Sequence, residues 1–140
     1  MTILDTDTVP LYALGHEKVG AKVDELGGPA QLAVTVITRM DILRGRFDSI
    51  LKAADEGQLN LAMQRFQEAG ALRDSFLTVP VNAQAAQRFT ILLTHKKTKK
   101  MKRADMLIAC IALASDALLV TRNVKDYKDV PGLRVENWAD

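Results

Sequence analysis

The chain has 140 residues, 48% of them apolar and 26% charged, the balance of a soluble globular protein with room for one domain over 1–140 and not for two. Its longest apolar run, Met106 to Ala114, is far too short to span a bilayer, and Met1–Leu4 runs into Asp5 with no basic-then-apolar leader, so the expected compartment is the cytoplasm, with no membrane partner. The single cysteine, Cys110, excludes an internal disulfide and reads as a small buried hydrophobe among Ile108, Ala109 and Ile111; no Cys/His cluster offers a zinc site.

In chain order, Thr2–Leu4 reads as a buried strand. Thr8–Leu14 predicts a first helix with Pro10 in its first turn, and His16–Leu26 a second with Val19, Val23 and Leu26 on one face, closed by Gly27–Gly28–Pro29. Leu32–Ile37 is a β-branched second strand. Thr38 then opens a long helix that Gly57 breaks, and a further helix covers about Asn60 to Phe76. Val79–Val81 predicts a third strand, Ala83–Thr94 a helix, and Ala104–Ala114 a helix apolar nearly all round and therefore buried. Leu118–Thr121 predicts a fourth strand and Leu133–Val135 a fifth, after the Pro131–Gly132 turn. Strands alternating with helices imply an α/β fold with a mostly parallel sheet of four to five strands, whose ligand rim lies at the C-terminal ends of the strands.

Charge is unevenly placed along this frame. Net charge is +2, yet six of the nineteen Lys and Arg fall in one segment: Lys96, Lys97, Lys99, Lys100, Lys102 and Arg103. The remaining thirteen face seventeen acidic residues, a balance of −4. The segment reads either as a solvated helix end or as a footprint for a phosphate backbone.

The rim itself is acidic. Asp5 ends the first strand, Asp41 sits in the first turn of the long helix, Asp105 opens the buried helix, and Asn123 and Asp126 follow the fourth strand. Each fits a plain capping role: Thr38-Arg39-Met40-Asp41 is a capping-box pattern, and Asp5, Asp7, Asp105 and Asn123 stand near helix starts or turns. Together they ask for more. Three carboxylates about 5 Å apart repel by roughly 3 kcal/mol per pair at an effective dielectric near 20. Such a cluster persists when it takes up protons or a cation, and oxygen-only donors suit Mg²⁺ or Mn²⁺, the ions of phosphoryl transfer.

Five segments resemble the PIN-domain family, in particular VapC-type toxin ribonucleases, in order and over nearly the whole chain. They are Ile3-Leu4-Asp5-Thr6-Asp7, Ile37 to Gly45, Ala104-Asp105-Met106-Leu107-Ile108-Ala109, Leu119 to Tyr127, and Val130 to Trp138. The resemblance implies a three-layer PIN-like fold and a Mg²⁺- or Mn²⁺-dependent endoribonuclease, usually a homodimer, held inactive by a cognate antitoxin. Asp5 and Asp105 match the family's first and third carboxylates. Asp41 occupies the second position, where the family normally has Glu, one methylene longer. Asn123 stands where some members carry Asp, with Asp126 one turn later, and Thr6 and Thr121 are expected to orient ligands or water. The implied mechanism is in-line attack of metal-activated water on an RNA phosphodiester, leaving 5′-phosphate and 3′-hydroxyl ends, with the basic segment guiding the RNA.

Two rivals stand beside this. Asp5-Thr6-Asp7-Thr8-Val9 fits the DxDx(T/V) signature of haloacid-dehalogenase-type phosphatases, with Asp5 as nucleophile and Asp7 as acid, but the late acidic pair of that fold is missing. The other is a weakened PIN module that binds RNA or a protein without cleavage. His16 and His95 lie outside the acidic motifs, Trp138 and Tyr127 are expected to pack the C-terminal segment onto the core, and the helices from Thr38 to Phe76 carry apolar surface enough for an antitoxin groove or a dimer face.

Overall fold

The computed structural model describes the backbone of residues 1–140 and all side chains except those of Leu72 and Arg73. Five parallel strands, β1 (Thr2–Leu4), β2 (Leu32–Thr35), β3 (Leu77–Val79), β4 (Leu118–Val120) and β5 (Arg134–Glu136), form one sheet in the order β3-β2-β1-β4-β5. Register pairs Ile3 with both Ala33 and Leu119, and Val120 with Glu136. Parallel strands buried on both faces need no polar alternation, which is why β1 and β2 are apolar apart from one threonine each, Thr2 at the start of β1 and Thr35 at the end of β2.

Successive strand side chains point to opposite faces, so neighbours in sequence build two separate cores. Ile3, Ala33 and Leu119 meet α5 (Ala83–Thr94) and α6 (Arg103–Ala114) on one face. Leu4, Val34 and Val120 meet α1 (Val9–Ala13), α2 (Glu17–Glu25), Phe76 and Trp138 on the other. The result is the three-layer α/β arrangement that the sequence predicts. Six residues of α6 are buried, among them Cys110, whose thiol burial pushes up to about 11. Among the described residues no helix is long and apolar enough to cross a membrane.

Several boundaries differ from expectation, each for a local reason. The long helix α3 (Val36–Leu51) starts two residues early, because Thr35 and not Thr38 is its cap: Thr38 N donates to Thr35 Oγ1 at 3.1 Å. Asp41 is therefore in the second turn, outside any capping box. Gly57 breaks nothing, since α4 (Glu56–Asp74) begins before it. Gln58 N donates to Asp55 Oδ1 and Ala54 N to Gln58 Oε1, both at 2.8 Å, a reciprocal start signal just ahead of the glycine. That helix stops at Asp74 and not Phe76, and β3 lies two residues earlier than expected, ending ahead of Pro80, with Val79 opposite Thr35. A short α7 (Val124–Tyr127), unforeseen, follows β4, and Gly132 takes the left-handed conformation (φ 79°) its turn requires.

The cap at the start of α3 is testable. Thr35→Val keeps the shape and deletes the acceptor, so unfolding free energy in urea falls by about 1–2 kcal/mol. A change of under roughly 0.3 kcal/mol would show that the helix start is held by something else.

Candidate functional site

The winding order of the sheet reverses between the parallel strands β1 and β4: the chain leaves β1 toward β2 on one side and β4 toward β5 on the other. Connections that part in this way open a crevice beyond the strand ends. The ladder continues one residue past each strand, with Asp5 N donating to Val120 O at 2.8 Å and Thr121 N to Glu136 O at 2.9 Å. Backbone pairing thus fixes Asp5 and Thr121 side by side at the crevice floor.

Asp5 is 5% exposed, and its charge is met by three donors. Thr6 N donates to Oδ1 at 2.8 Å; Thr121 Oγ1, at 2.8 Å, and the Tyr127 hydroxyl, at 3.2 Å, donate to Oδ2. The same Tyr127 hydroxyl lies 3.3 Å from Oδ1 of Asp105, the third residue of α6. One phenol therefore links carboxylates one hundred residues apart. Together with Thr6, Asp7, Asp41 and Asn123 they line an open hollow of about 240 Å³.

The other predicted residues divide. Thr121 contacts Asp5 directly, whereas Thr6 bonds it through its backbone and turns its hydroxyl to Thr38 Oγ1 at 2.9 Å. Asp41 borders the hollow but pairs with Arg44, one turn on along the exposed side of α3. Asn123 Nδ2 donates to Asp7 Oδ2 at 3.3 Å, and Asp126 is exposed on α7. Lys96, Lys97, Lys99 and Lys100 lie exposed in the turns between α5 and α6, around a fully buried Thr98 whose hydroxyl donates to Leu92 O at 2.7 Å. Lys102 stands at the N-cap position of α6 without a side-chain cap bond, and the Arg103 guanidinium lies 5.2 Å from the Phe89 ring centroid, facing α5.

Two residues carry more than the sequence reading assigned them. Tyr127 packs into the core as expected, but its hydroxyl joins the carboxylates; a buried tyrosine needs a partner for its O–H, and that was the available signal. Asp7 does not act as the free acid a phosphatase requires. Its Oδ2 accepts from Arg122 N at 3.1 Å and from Thr121 Oγ1 and Asn123 Nδ2, pinning the loop after β4.

Burial raises the pKa of Asp5, and the charges of Asp7 and Asp105 add to the rise against the hydrogen bonds from Thr121 and Thr6. Burial likewise raises Asp105, helped by Asp126 and Asp7 and opposed by the Tyr127 hydrogen bond and Lys102. Burial and the two carboxylates hold Tyr127 far above its usual value, so it stays a protonated donor. Negative charge here is thus held against its preference. Among the described residues no three of His, Cys, Asp and Glu form a group able to hold a metal, so the expected Asp5–Asp41–Asp105 cage is not assembled. Asp41 is a methylene short and is drawn to Arg44. Two carboxylates with room for solvent nonetheless fit Mg²⁺, which keeps several waters and takes one or two carboxylates.

These shifts predict a pH-dependent stability. A carboxyl whose pKa is higher folded than unfolded destabilises the fold when ionised, and the penalty vanishes as pH falls through the raised value toward 3.8. In metal-free buffer, Asp105→Asn therefore melts a few degrees higher than the parent at pH 8, with the gain shrinking steadily toward pH 4. A gain that is constant with pH would rule out relief of charge as its origin.

No family model matches the chain. Its sequence is 53% identical over 109 residues, 76% of this chain and 74% of the other, to Ribonuclease VapC2 of Rickettsia felis. Among solved structures, a chain of VapBC-1 from nontypeable Haemophilus influenzae superposes with a TM-score of 0.78 at 21% identity, over 99% of this chain and 98% of that one. A chain of a toxin–antitoxin complex from Klebsiella pneumoniae gives 0.69 at 21% identity, over 98% and 97%. The two structures match the fold; the sequence relative goes further, and on it this chain belongs to the VapC ribonuclease family.

Proposed function

We propose that this protein is the toxin of a toxin–antitoxin pair, a cytoplasmic endoribonuclease that hydrolyses RNA phosphodiesters with Mg²⁺ or Mn²⁺ held by Asp5 and Asp105. The observation that carries this reading is the pairing of those two carboxylates, through Tyr127, at the strand ends where the sheet reverses. Membership of the VapC ribonuclease family supports the reaction class. The bound cation would supply Lewis acidity, drawing charge from the phosphate and making water a stronger acid.

The chain's own residues do the rest. The lysines of the α5–α6 turn hold the RNA backbone beside the hollow, and the buried Thr98 keeps that turn in place. Thr121 and Thr6 N keep the Asp5 carboxylate aimed at the crevice. Asp41, released from Arg44 when substrate enters, takes the proton of the attacking water. A bond forms from the water oxygen to phosphorus and the bond to the 3′-oxygen breaks, the departing oxygen taking a proton from solvent, giving 5′-phosphate and 3′-hydroxyl ends. Asn123 and Asp126 support the loop beside this centre.

The antitoxin would sit in the groove of about 680 Å³ between α1, α3 and α4, lined by Val9, Pro10, Leu14, Ile42 and Ala69 among others. Exposed Met40, Phe47, Leu51, Met63 and Phe66 extend the apolar surface of α3 and α4, and solved toxin–antitoxin assemblies of the same fold support such a partner. Thr6 and Asp41 line both this groove and the acidic hollow, so a segment lying in the groove ends at the active centre and blocks it. We take the assembled toxin to be a homodimer.

Two experiments test the reading. With protein freed of any partner, single-stranded RNA and Mn²⁺, Asp5→Asn and Asp105→Asn lose cleavage by at least 100-fold, whereas Asp41→Glu, which restores the missing methylene, gains several-fold; full activity in either Asn variant would sink the site. In EDTA, replacing Lys96, Lys97, Lys99 and Lys100 by Ala weakens RNA binding and lowers the slope of log affinity against log salt by about 0.7 for each phosphate no longer neutralised. An unchanged slope would remove the lysines from the RNA path.

A further inference from the structure

Packing explains the Tyr127 ring but not its hydroxyl. The ring fills core space beside α6, at 1% exposure, and phenylalanine would fill the same space. Burying an O–H is costly unless it is bonded, so its direction is informative. It points neither to backbone nor to solvent but to two carboxylates, 3.2 Å from Asp5 Oδ2 and 3.3 Å from Asp105 Oδ1. A phenol has one proton, so the two oxygens share a single donor.

The sharing is unequal in consequence. Asp5 keeps Thr6 N and the Thr121 hydroxyl if Tyr127 is removed, and the β1–β4 ladder fixes its backbone. Asp105 is different: among the described residues the Tyr127 hydroxyl is its one hydrogen-bond partner. Without it, an only half-buried carboxylate in the first turn of α6 has no hydrogen bond to fix its rotamer, and only the undirected charge of Lys102 stands against those of Asp126 and Asp7.

We propose that the Tyr127 hydroxyl is a positioning group that holds Asp105 against Asp5 for cation binding, tying one oxygen of each and leaving Asp105 Oδ2 and a lone pair of Asp5 Oδ1 for the ion. The inference rests on the reading above that these two carboxylates hold the metal. It makes Tyr127 an outer-shell residue for both ligands at once, with its strongest effect on Asp105. The opposing possibility is physical too: a hydroxyl donating to a carboxylate lowers its basicity, and its removal would then tighten the metal. Orientation outweighs basicity here because Asp5 already accepts two other donors, so its basicity changes little, while Asp105 loses its one hydrogen bond and keeps only the undirected attraction of Lys102.

Mn²⁺ binding by the metal-stripped full chain, followed by calorimetry and by the loss of the free-ion electron paramagnetic resonance signal, tests this directly. Tyr127→Phe raises the Kd for Mn²⁺ about 10–100-fold. Its RNA cleavage falls in parallel at limiting Mn²⁺ and returns to near the parent rate at saturating Mn²⁺, a pattern that general loss of structure does not give. A Kd within twofold of the parent, or a tighter one, overturns the proposal. A second measurement needs no deletion of the hydroxyl. With 3-fluorotyrosine at Tyr12 and Tyr127, the only two tyrosines, the Tyr127 fluorine resonance (assigned with Tyr12→Phe) shifts on Mg²⁺ addition with the midpoint of binding. A resonance that stays still while Mg²⁺ saturates the protein also overturns it. The parent and Asp105→Asn separate the two levels: if the parent takes up no Mn²⁺, the proposed function fails, whereas if the parent binds, Asp105→Asn does not, and Tyr127→Phe binds like the parent, only the role of Tyr127 fails.

Discussion

Two carboxylates that repel each other are held within reach of one hydroxyl, and much of the fold is arranged to make that contact possible. Burial is the larger penalty on both carboxylates, and neighbouring negative charge adds to it: Asp7 and Asp105 for Asp5, Asp126 and Asp7 for Asp105. The opposing interactions are local. Asp5 accepts one backbone N–H and two hydroxyls, and hydrogen bonds to a charged group contribute about 1.5–3 kcal/mol each. Those donors can converge only because parallel β1 and β4 are neighbours, so that Asp5 and Thr121 leave the sheet together and α7 turns Tyr127 back over them. The sheet order and the charge cluster are one design seen at two scales.

Much of this was readable in the residues, and what was not has a physical reason. Fully buried strands appear as short apolar runs, and the reversal of periodicity between Leu4 and Asp5 or between Val120 and Arg122 marks where they reach the rim. The start of α3 departs from the Thr38 reading because Thr35, three residues earlier, has the same capping side chain, and tertiary packing gives Thr35 the cap while Thr38 turns to Thr6. Gly57 looked like a break because glycine is costly inside a helix, yet in a first turn already fixed by Asp55 and Gln58 that cost is small. At the site, acidic spacing pointed to Asp5 and Asp105. It did not reveal that a tyrosine twenty-two residues beyond Asp105 joins them, since side-chain contacts between α7 and α6 leave no periodic trace.

Asp41 marks the boundary of that kind of reading. By position it belongs with the other two carboxylates, and it does line their hollow. Its side chain, however, is a methylene shorter than the glutamate of the resembling family, and Arg44 stands one turn away on the same helix face. An exposed i,i+3 pair of this sort is worth only a few tenths of a kcal/mol. So small a hold is consistent with the proposal that Asp41 leaves Arg44 when substrate enters. Asp41 is thus held by one exposed pair, whereas Asp5 is buried and held by three donors.

The placement of positive charge completes the picture. An acidic hollow repels a polyanion, and the chain apart from one segment is itself acidic, so an RNA backbone needs a separate attachment close by. In the proposed function the lysines serve as that attachment; they stand immediately before α6, the helix that carries Asp105, so the proposed attachment point and the acidic hollow lie on one continuous stretch of chain. Flexible lysines on a loose loop would lose much of that advantage to entropy. Thr98, in the middle of Lys96-Lys97-Thr98-Lys99-Lys100, removes the loss: its side chain is fully buried and bonded to Leu92 O, so the turn is stapled to the end of α5 with its cations outward. Across the cleft the chemistry is the opposite, an apolar face on α3 and α4 that no RNA would favour. On the proposed function, substrate and inhibitor would approach one centre by surfaces of different chemistry, cationic for the one and apolar for the other.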